Sequence, residues 1–184
     1  MQTEIIIAGF GGQGVLFAGE LLAYAALDGG HEVTWIPSYG PEMRGGTAHC
    51  TVIISDDEIG SPVVRNPRGA IVMNLPSLEK YEPLVRTGGV LIVNGSLVDR
   101  PVQRDDIVSV VIPALEEAET IGDRRLANII LVGALLERLP VLTHAAIKDA
   151  LRAHLPERKR ALLEPNFLAM ERGAALARAE AVAA

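Results

Sequence analysis

The sequence predicts an α/β protein, a three-layer domain built on a mixed, mainly parallel sheet. Three observations predict it. Short β-branched runs alternate with stretches of good helix formers along most of the chain. A glycine-rich turn, Gly9-x-Gly11-x-x-Gly14, follows the first such run and leads directly into the first helical stretch. Aromatic residues make up 4% of the chain against 49% hydrophobic residues in all, so Val, Ile, Leu and Ala must fill the core, as they do where strands are buried on both faces.

Taken in order, Glu4 to Ala8 is the first strand and Val15 to Leu27 a helix with apolar residues on most faces, stopped by Asp28-Gly29-Gly30. Glu32 to Ile36 is the second strand, completing a βαβ unit. Thr47 to Ser55 is strand-like, yet no helix separates it from the second strand. Parallel neighbours need a crossover of about a dozen residues or more, so this strand is expected to run antiparallel. Gly69 to Met73 is a further apolar run. Leu75-Pro76-Ser77 opens a helix to about Arg86, closed by Thr87-Gly88-Gly89. Val90 to Val93 and Ile107 to Ile112 are the remaining strands. Pro113 to Thr120 is helical, and Leu126 to Leu139 is a strongly apolar helix stopped by Pro140. The remainder, with Thr143 as an N-cap, reads as two or three helices broken at Pro156 and Pro165, with a final Ala-rich stretch expected to fray. Residues 1–184 read as one domain, without an internal repeat or a disordered linker.

Composition excludes several classes of function. The formal net charge is −6, and the basic residues are dispersed except at Arg158, Lys159 and Arg160, which argues against nucleic-acid binding. A lone cysteine, Cys50, allows no internal disulfide, no Cys-rich zinc site and no iron-sulfur cluster held by this chain alone, and a reducing cytoplasm suits it. Gln2, Thr3 and Glu4 lead straight into a strand, so no signal peptide is expected. No apolar run has membrane-spanning length. His31, His49, His144 and His154 are scattered without metal-ligand spacing, so no metal site is expected. Without a nucleophile elbow, a P-loop lysine or an HExxH motif, the chain shows no catalytic set of its own.

In α/β sheets ligands gather beyond the carboxyl ends of the strands, which places Gly9 to Gly14, Pro37 to Gly46, Asn74, and Asn94 to Ser96 on one rim. The glycine turn has the Rossmann-like spacing that brings backbone N–H groups up to an anion. A dinucleotide site would also want an acid at the end of the second strand, where this chain has Ile36-Pro37-Ser38, so a classical NAD site is not expected. The turn then either holds another anion, such as the diphosphate of coenzyme A, or packs a helix closely against the sheet. The connection from Pro37 to Thr47 carries Tyr39, Glu42, Met43 and Arg44 among three glycines and two prolines. It reads as a site presenting Tyr39 and Arg44, the alternative being an Ω-loop packed for stability. Arg44 suits a phosphate or carboxylate clamp, or else a salt bridge. Asn128, near the start of an apolar helix, is either a contact across an interface or a cap-like structural residue.

Several strings together closely resemble the gamma subunits of the 2-oxoacid:ferredoxin oxidoreductases. They are Gly9-Phe10-Gly11-Gly12-Gln13-Gly14-Val15, Ser38-Tyr39-Gly40-Pro41-Glu42-Met43-Arg44-Gly45-Gly46-Thr47, Ser61-Pro62, and Gly88-Gly89-Val90-Leu91-Ile92-Val93-Asn94. Ala127-Asn128, Gly133-Ala134-Leu135, Asn166 and Gly173 extend the likeness over almost the whole chain. The resemblance implies a Rossmann-like subunit of an enzyme that oxidatively decarboxylates a 2-oxoacid, 2-oxoglutarate or pyruvate being favoured, to acyl-CoA, with electrons passed to ferredoxin. It implies thiamine diphosphate and Mg²⁺ between alpha and beta subunits, and 4Fe-4S clusters in beta or delta subunits or a fused ferredoxin domain. On that basis Gly9, Gly11, Gly12, Gln13 and Gly14 are expected to contact coenzyme A. Ser38, Tyr39, Arg44, Gly45, Gly46, Asn94 and Asn128 are expected on the interface or active-site rim. The small subunit of indolepyruvate oxidoreductase resembles the same domain, and a free-standing nucleotide-binding module is the other alternative.

Overall fold

The computed structural model describes residues 1–39 and 46–183. Among them β1 (Gln2–Phe10), β2 (Glu32–Tyr39), β3 (Thr47–Ser55), β4 (Gly69–Val72), β5 (Val90–Asn94) and β6 (Val108–Ile112) form one sheet in the order β2-β3-β1-β4-β5-β6. β1, β4, β5 and β6 pair in parallel, and β3 runs antiparallel to both of its neighbours. The sheet is therefore mixed, and only β3 opposes the common direction.

The first two strands make no direct pair. β3 lies between them, matching Ser55 to Thr47 against Gln2 to Phe10 on one side and Ser55 to Ala48 against Glu32 to Tyr39 on the other. The expected βαβ unit is thus opened by an inserted strand: a chain returning from β2 without a helix must come back antiparallel. β2 also runs three residues past Ile36, so Pro37 and Ser38 belong to the strand rather than to the connection. An edge strand tolerates the missing N–H of Pro37.

Alternation along β1 sends Ile5 and Ile7 to one face and Ile6 and Ala8 to the other, all at most 4% exposed. On the first face pack α1 (Val15–Asp28), α4 (Ala127–Arg138) and α6 (Leu163–Ala183), with α5 (His144–His154) against α1. On the second lies α2 (Leu75–Tyr81), over a smaller cluster built on Leu78, Tyr81 and Val85. α3 (Ala114–Ile121) packs beside α4. Asn74 caps α2, its Oδ1 accepting from Ser77 N at 2.9 Å, and Thr143 caps α5 by accepting from Ala146 N at 3.1 Å.

Two helix limits differ from the sequence reading, both through proline. α2 ends at Tyr81 instead of near Arg86, because Pro83 has no N–H to continue it and a 3₁₀ turn over Glu82–Leu84 follows. Pro165 breaks nothing. It lies in the first turn of α6, where a missing N–H costs no helical bond.

α4 is buried from Ala127 to Leu136, with β4 and β5 on one side and α6 on the other. The two helices touch backbone to backbone, since a Cβ on Gly133 would overlap the Met170 carbonyl and one on Gly173 that of Ile130. Opposite, the link from β5 to β6 is pinned by Glu82, only 3% exposed. Its carboxylate accepts from Arg100 Nη2 at 2.5 Å, Gln103 N at 2.5 Å and Arg104 N at 3.2 Å. Burial pushes the Glu82 pKa up, but the Arg100 guanidinium and the two backbone amides outweigh it, so the group stays below its ordinary value.

Gly133→Ala and Gly173→Ala should each cost about 2–3 kcal/mol in urea unfolding. Gly60→Ala, where a Cβ meets nothing within 4 Å, serves as the neutral control; equal midpoints for all three would contradict the helix contact. Because the Glu82 pKa is lowered in the fold, its stabilisation is present above the unfolded carboxyl pKa and is lost as pH falls through the folded one. Glu82→Gln should therefore cost about 3–5 kcal/mol at pH 7 and flatten the acid limb of the stability curve, as followed by thermal melts across pH 2–7.

Candidate functional site

The carboxyl ends of β1, β2, β4 and β5 and the start of β3 meet along one edge of the sheet. The glycine turn stands at its centre. Gly11 N donates to Gly46 O at 2.9 Å, and Gln13 N to Phe10 O at 3.2 Å, so both amides are engaged within the chain. The Gln13 side chain folds back beneath the turn. Its Oε1 accepts from Phe10 N at 2.6 Å and Asn74 Nδ2 at 3.5 Å, while its Nε2 donates to Met73 O at 3.3 Å. Gln13 thus stitches the end of β1 to the end of β4. A Cβ on Gly9 would stand 2.5 Å from that Oε1, which is why a glycine precedes the stitch. The Gly12 N–H makes no hydrogen bond among the described residues, and its φ of +96° suits glycine.

Gly14 caps α1 with a φ of +76°. Asn128, 4% exposed at the start of α4, donates from Nδ2 to Gly14 O at 3.1 Å and accepts from Ile129 N at 2.9 Å. The Asn128 amide fastens the start of α4 to the start of α1. Any Cβ on Gly14 would overlap that amide.

A cavity of about 210 Å³ opens where the two helices start. Gly12, Gln13, Asn94 and Asn128 line it, over an apolar floor that includes Met73 and Leu131. Asn94, 3% exposed, accepts from Ser96 N at 3.3 Å, and Ser96 Oγ accepts from Leu115 N at 2.9 Å and donates to the Glu116 carboxylate. That bond holds the Glu116 pKa below its usual range.

Arg124 and Arg125, which the sequence reading did not single out, also line the cavity. Arg124 Nε lies 3.1 Å from Glu119 Oε1 and Arg125 Nη2 2.6 Å from Asp123 Oδ2, both guanidiniums remaining largely exposed. The Arg125 pair raises the arginine pKa and lowers that of Asp123. The signal was a doubled arginine just ahead of a buried asparagine. It places cations at a helix start that faces a strand end.

The other rim residues take different places. Ser38 pairs with His49 within the sheet, Tyr39 ends β2, and Gly46 meets the glycine turn through its carbonyl. Arg44 and Gly45 lie outside the described residues. Cys50 is fully buried, its Sγ 3.5 Å from Val15 O, and burial pushes the thiol up to about 12. Such a thiol does not fit a cluster ligand, which must be ionised and reachable. Among the described residues no three His, Cys, Asp or Glu side chains are grouped to hold a metal ion, and no helix is long and apolar enough to cross a membrane. The cavity gathers donors and cations, a set suited to recognising an anion.

The model of the pyruvate ferredoxin/flavodoxin oxidoreductase family matches residues 4–176. The chain belongs to this family. Within it, the chain is 37% identical to the 2-oxoglutarate synthase subunit KorC of Methanothermobacter marburgensis, covering 94% of this chain and 95% of that one. It is 36% identical to the ketoisovalerate oxidoreductase subunit VorA of the same organism across 96% of its own length, but spans only 37% of that longer protein. The gamma subunit of a keto/oxoacid ferredoxin oxidoreductase from Geobacter sulfurreducens superposes with a TM-score of 0.82 at 30% identity, over 96% of this chain and 99% of that one. The family read from the residue strings is the one found.

The Asn128–Gly14 contact makes a quantitative prediction. Gly14→Ala should destabilise by about 2–4 kcal/mol, combining backbone strain with overlap on the amide. In a double-mutant cycle with Asn128→Ala, which makes room for the new methyl, the two changes should couple by at least about 1 kcal/mol in urea unfolding. Strict additivity would contradict the contact.

Proposed function

We propose that this chain is the gamma subunit of a thiamine diphosphate-dependent 2-oxoacid:ferredoxin oxidoreductase, with 2-oxoglutarate or pyruvate the favoured substrate. Residues 1–184 form one domain whose rim walls the approach of coenzyme A. The observation that carries this reading is the cavity at the strand ends, where Gly12, Asn94, Arg124 and Arg125 are grouped on a chain whose single thiol is buried away from it. It is a binding set that leaves the reacting groups to other chains.

Coenzyme A, when bound, supplies the thiol that receives the acyl group. Arg124 and Arg125 would exchange their own carboxylates for its phosphates, and the Gly12 N–H and the Asn94 amide would orient the anion. Gln13 and Asn128 hold those groups in place through the bonds described above. Thiamine diphosphate, Mg²⁺ and 4Fe-4S clusters are assigned to alpha, beta and, where present, delta subunits or a fused ferredoxin domain, and electrons leave on ferredoxin. Arg44, Gly45, Tyr39 and Ser38 are assigned to the face turned to those partners. The reducing cytoplasm is the setting that suits Cys50.

The test is co-purification of the tagged chain from its native host. Alpha and beta chains, thiamine and iron should come with it, and the assembly should reduce ferredoxin with a 2-oxoacid while the lone chain does not. In that assembly, Arg124→Ala with Arg125→Ala should raise the KM for coenzyme A by about tenfold and leave that for the oxoacid unchanged, since charge-assisted bonds of this kind contribute about 1.5–3 kcal/mol. Turnover of an oxoacid by the isolated chain would refute the subunit reading. Companions specific to indolepyruvate would instead favour the small subunit of that enzyme.

A further inference from the structure

A second cavity, of about 200 Å³, lies between α1 and α5 and shares no residue with the rim cavity. Its walls are largely apolar, with Phe17, Leu21 and Tyr24 from one stripe of α1 facing Leu151 and Leu155. One part of the wall is a fixed contact. The His154 ring stacks on Tyr24 with centroids 4.0 Å apart and planes 8° from parallel, and its Nε2 lies 2.8 Å from Asp28 Oδ2. Beside the mouth runs the 3₁₀ turn Glu157–Leu162, which carries Arg158, Lys159 and Arg160, all exposed, and Lys159 lines the cavity itself. None of the three forms a salt bridge among the described residues, whereas Arg152 on α5 is paired with Asp149 at 2.7 Å. The acidic residues on the cavity wall and in the adjoining chain are Glu20, Glu157 and Glu164, Asp28 being taken by His154.

We propose that this cleft docks an acidic protein segment bearing one aromatic or large aliphatic side chain. The apolar side chain enters between α1 and α5, and flanking carboxylates meet Arg158, Lys159 and Arg160. Charge complementarity selects this occupant, since the run of free cations stands out on a chain of net charge −6. The volume, about 200 Å³, suits one ring. Nucleic acid would want a wider basic face, and a lipid surface would want apolar side chains projecting outward rather than withdrawn into a cleft. The preset Tyr24–His154 wall reduces the ordering cost of binding.

The test uses the full chain and a fluorescently labelled peptide, Glu-Asp-Glu-Phe-Glu-Asp-Glu, followed by anisotropy. Saturable binding is expected, strengthening as salt is lowered. It should weaken by about tenfold or more in the R158E/K159E/R160E variant, whose exposed positions leave the Tm unchanged, and by a similar factor when the peptide phenylalanine is replaced by serine. Absence of saturable binding, or binding indifferent to either change, overturns the proposal. Tighter binding of a single-stranded RNA oligomer or of phosphatidylserine vesicles at the same salt overturns it as well.

Discussion

The bond between Asn128 Nδ2 and Gly14 O is the constraint on which the site depends. It sets the starts of α1 and α4 side by side, although 114 residues separate the two partners. Two requirements meet at that point. Gly14 must adopt a left-handed backbone to turn from β1 into α1, and it must carry no side chain because the amide occupies that space. A carbonyl that caps a helix start is usually turned to water or to its own helix. Here it accepts from Ala18 N of its own helix at 3.0 Å and from the buried Asn128 amide as well, which fixes the distance between two positive helix ends and so the width of the cavity between them.

The sheet supplies the second constraint. β3 runs against the common direction and pairs along nearly its whole length on both sides, so it is held more firmly than an edge strand would be. Its first residues lie beside the carboxyl ends of β1 and β2, which brings Gly46 to the glycine turn. On the helical side, the backbone contact between α4 and α6 presses α4 onto β4 and β5 and holds Asn128 and Leu131 at the cavity. Rigid elements therefore place Asn94 and Asn128, while Gly12 sits on the exposed turn and the two arginines are largely exposed.

Much of the fold was legible because strand and helix signals are local. All six strands lie where β-branched runs fall, and the antiparallel sense of β3 followed from the length of its connection alone. What local patterns do not carry is the order of strands in the sheet, so the insertion of β3 between β1 and β2 had no signature in either strand. The early end of α2 was written in Pro83, and the harmlessness of Pro165 in its nearness to a helix start. At the site, the glycine turn and Asn94 were found from strand-end logic. The engagement of the Gly11 and Gln13 amides was not, because it depends on the approach of Gly46 and on the turn closing upon Phe10. Arg124 and Arg125 escaped notice because charged pairs before a helix usually belong to a solvated surface, and only the fold brings this one up to Asn94.

The contact between Gly11 and Gly46 has a mechanical consequence. Tyr39 is paired with Ala48 in the sheet, and Gly46 is joined to Gly11 in the glycine turn. A pull on Gly46 is consequently in series with the glycine turn, and tension applied there reaches the mouth of the cavity across a single peptide hydrogen bond.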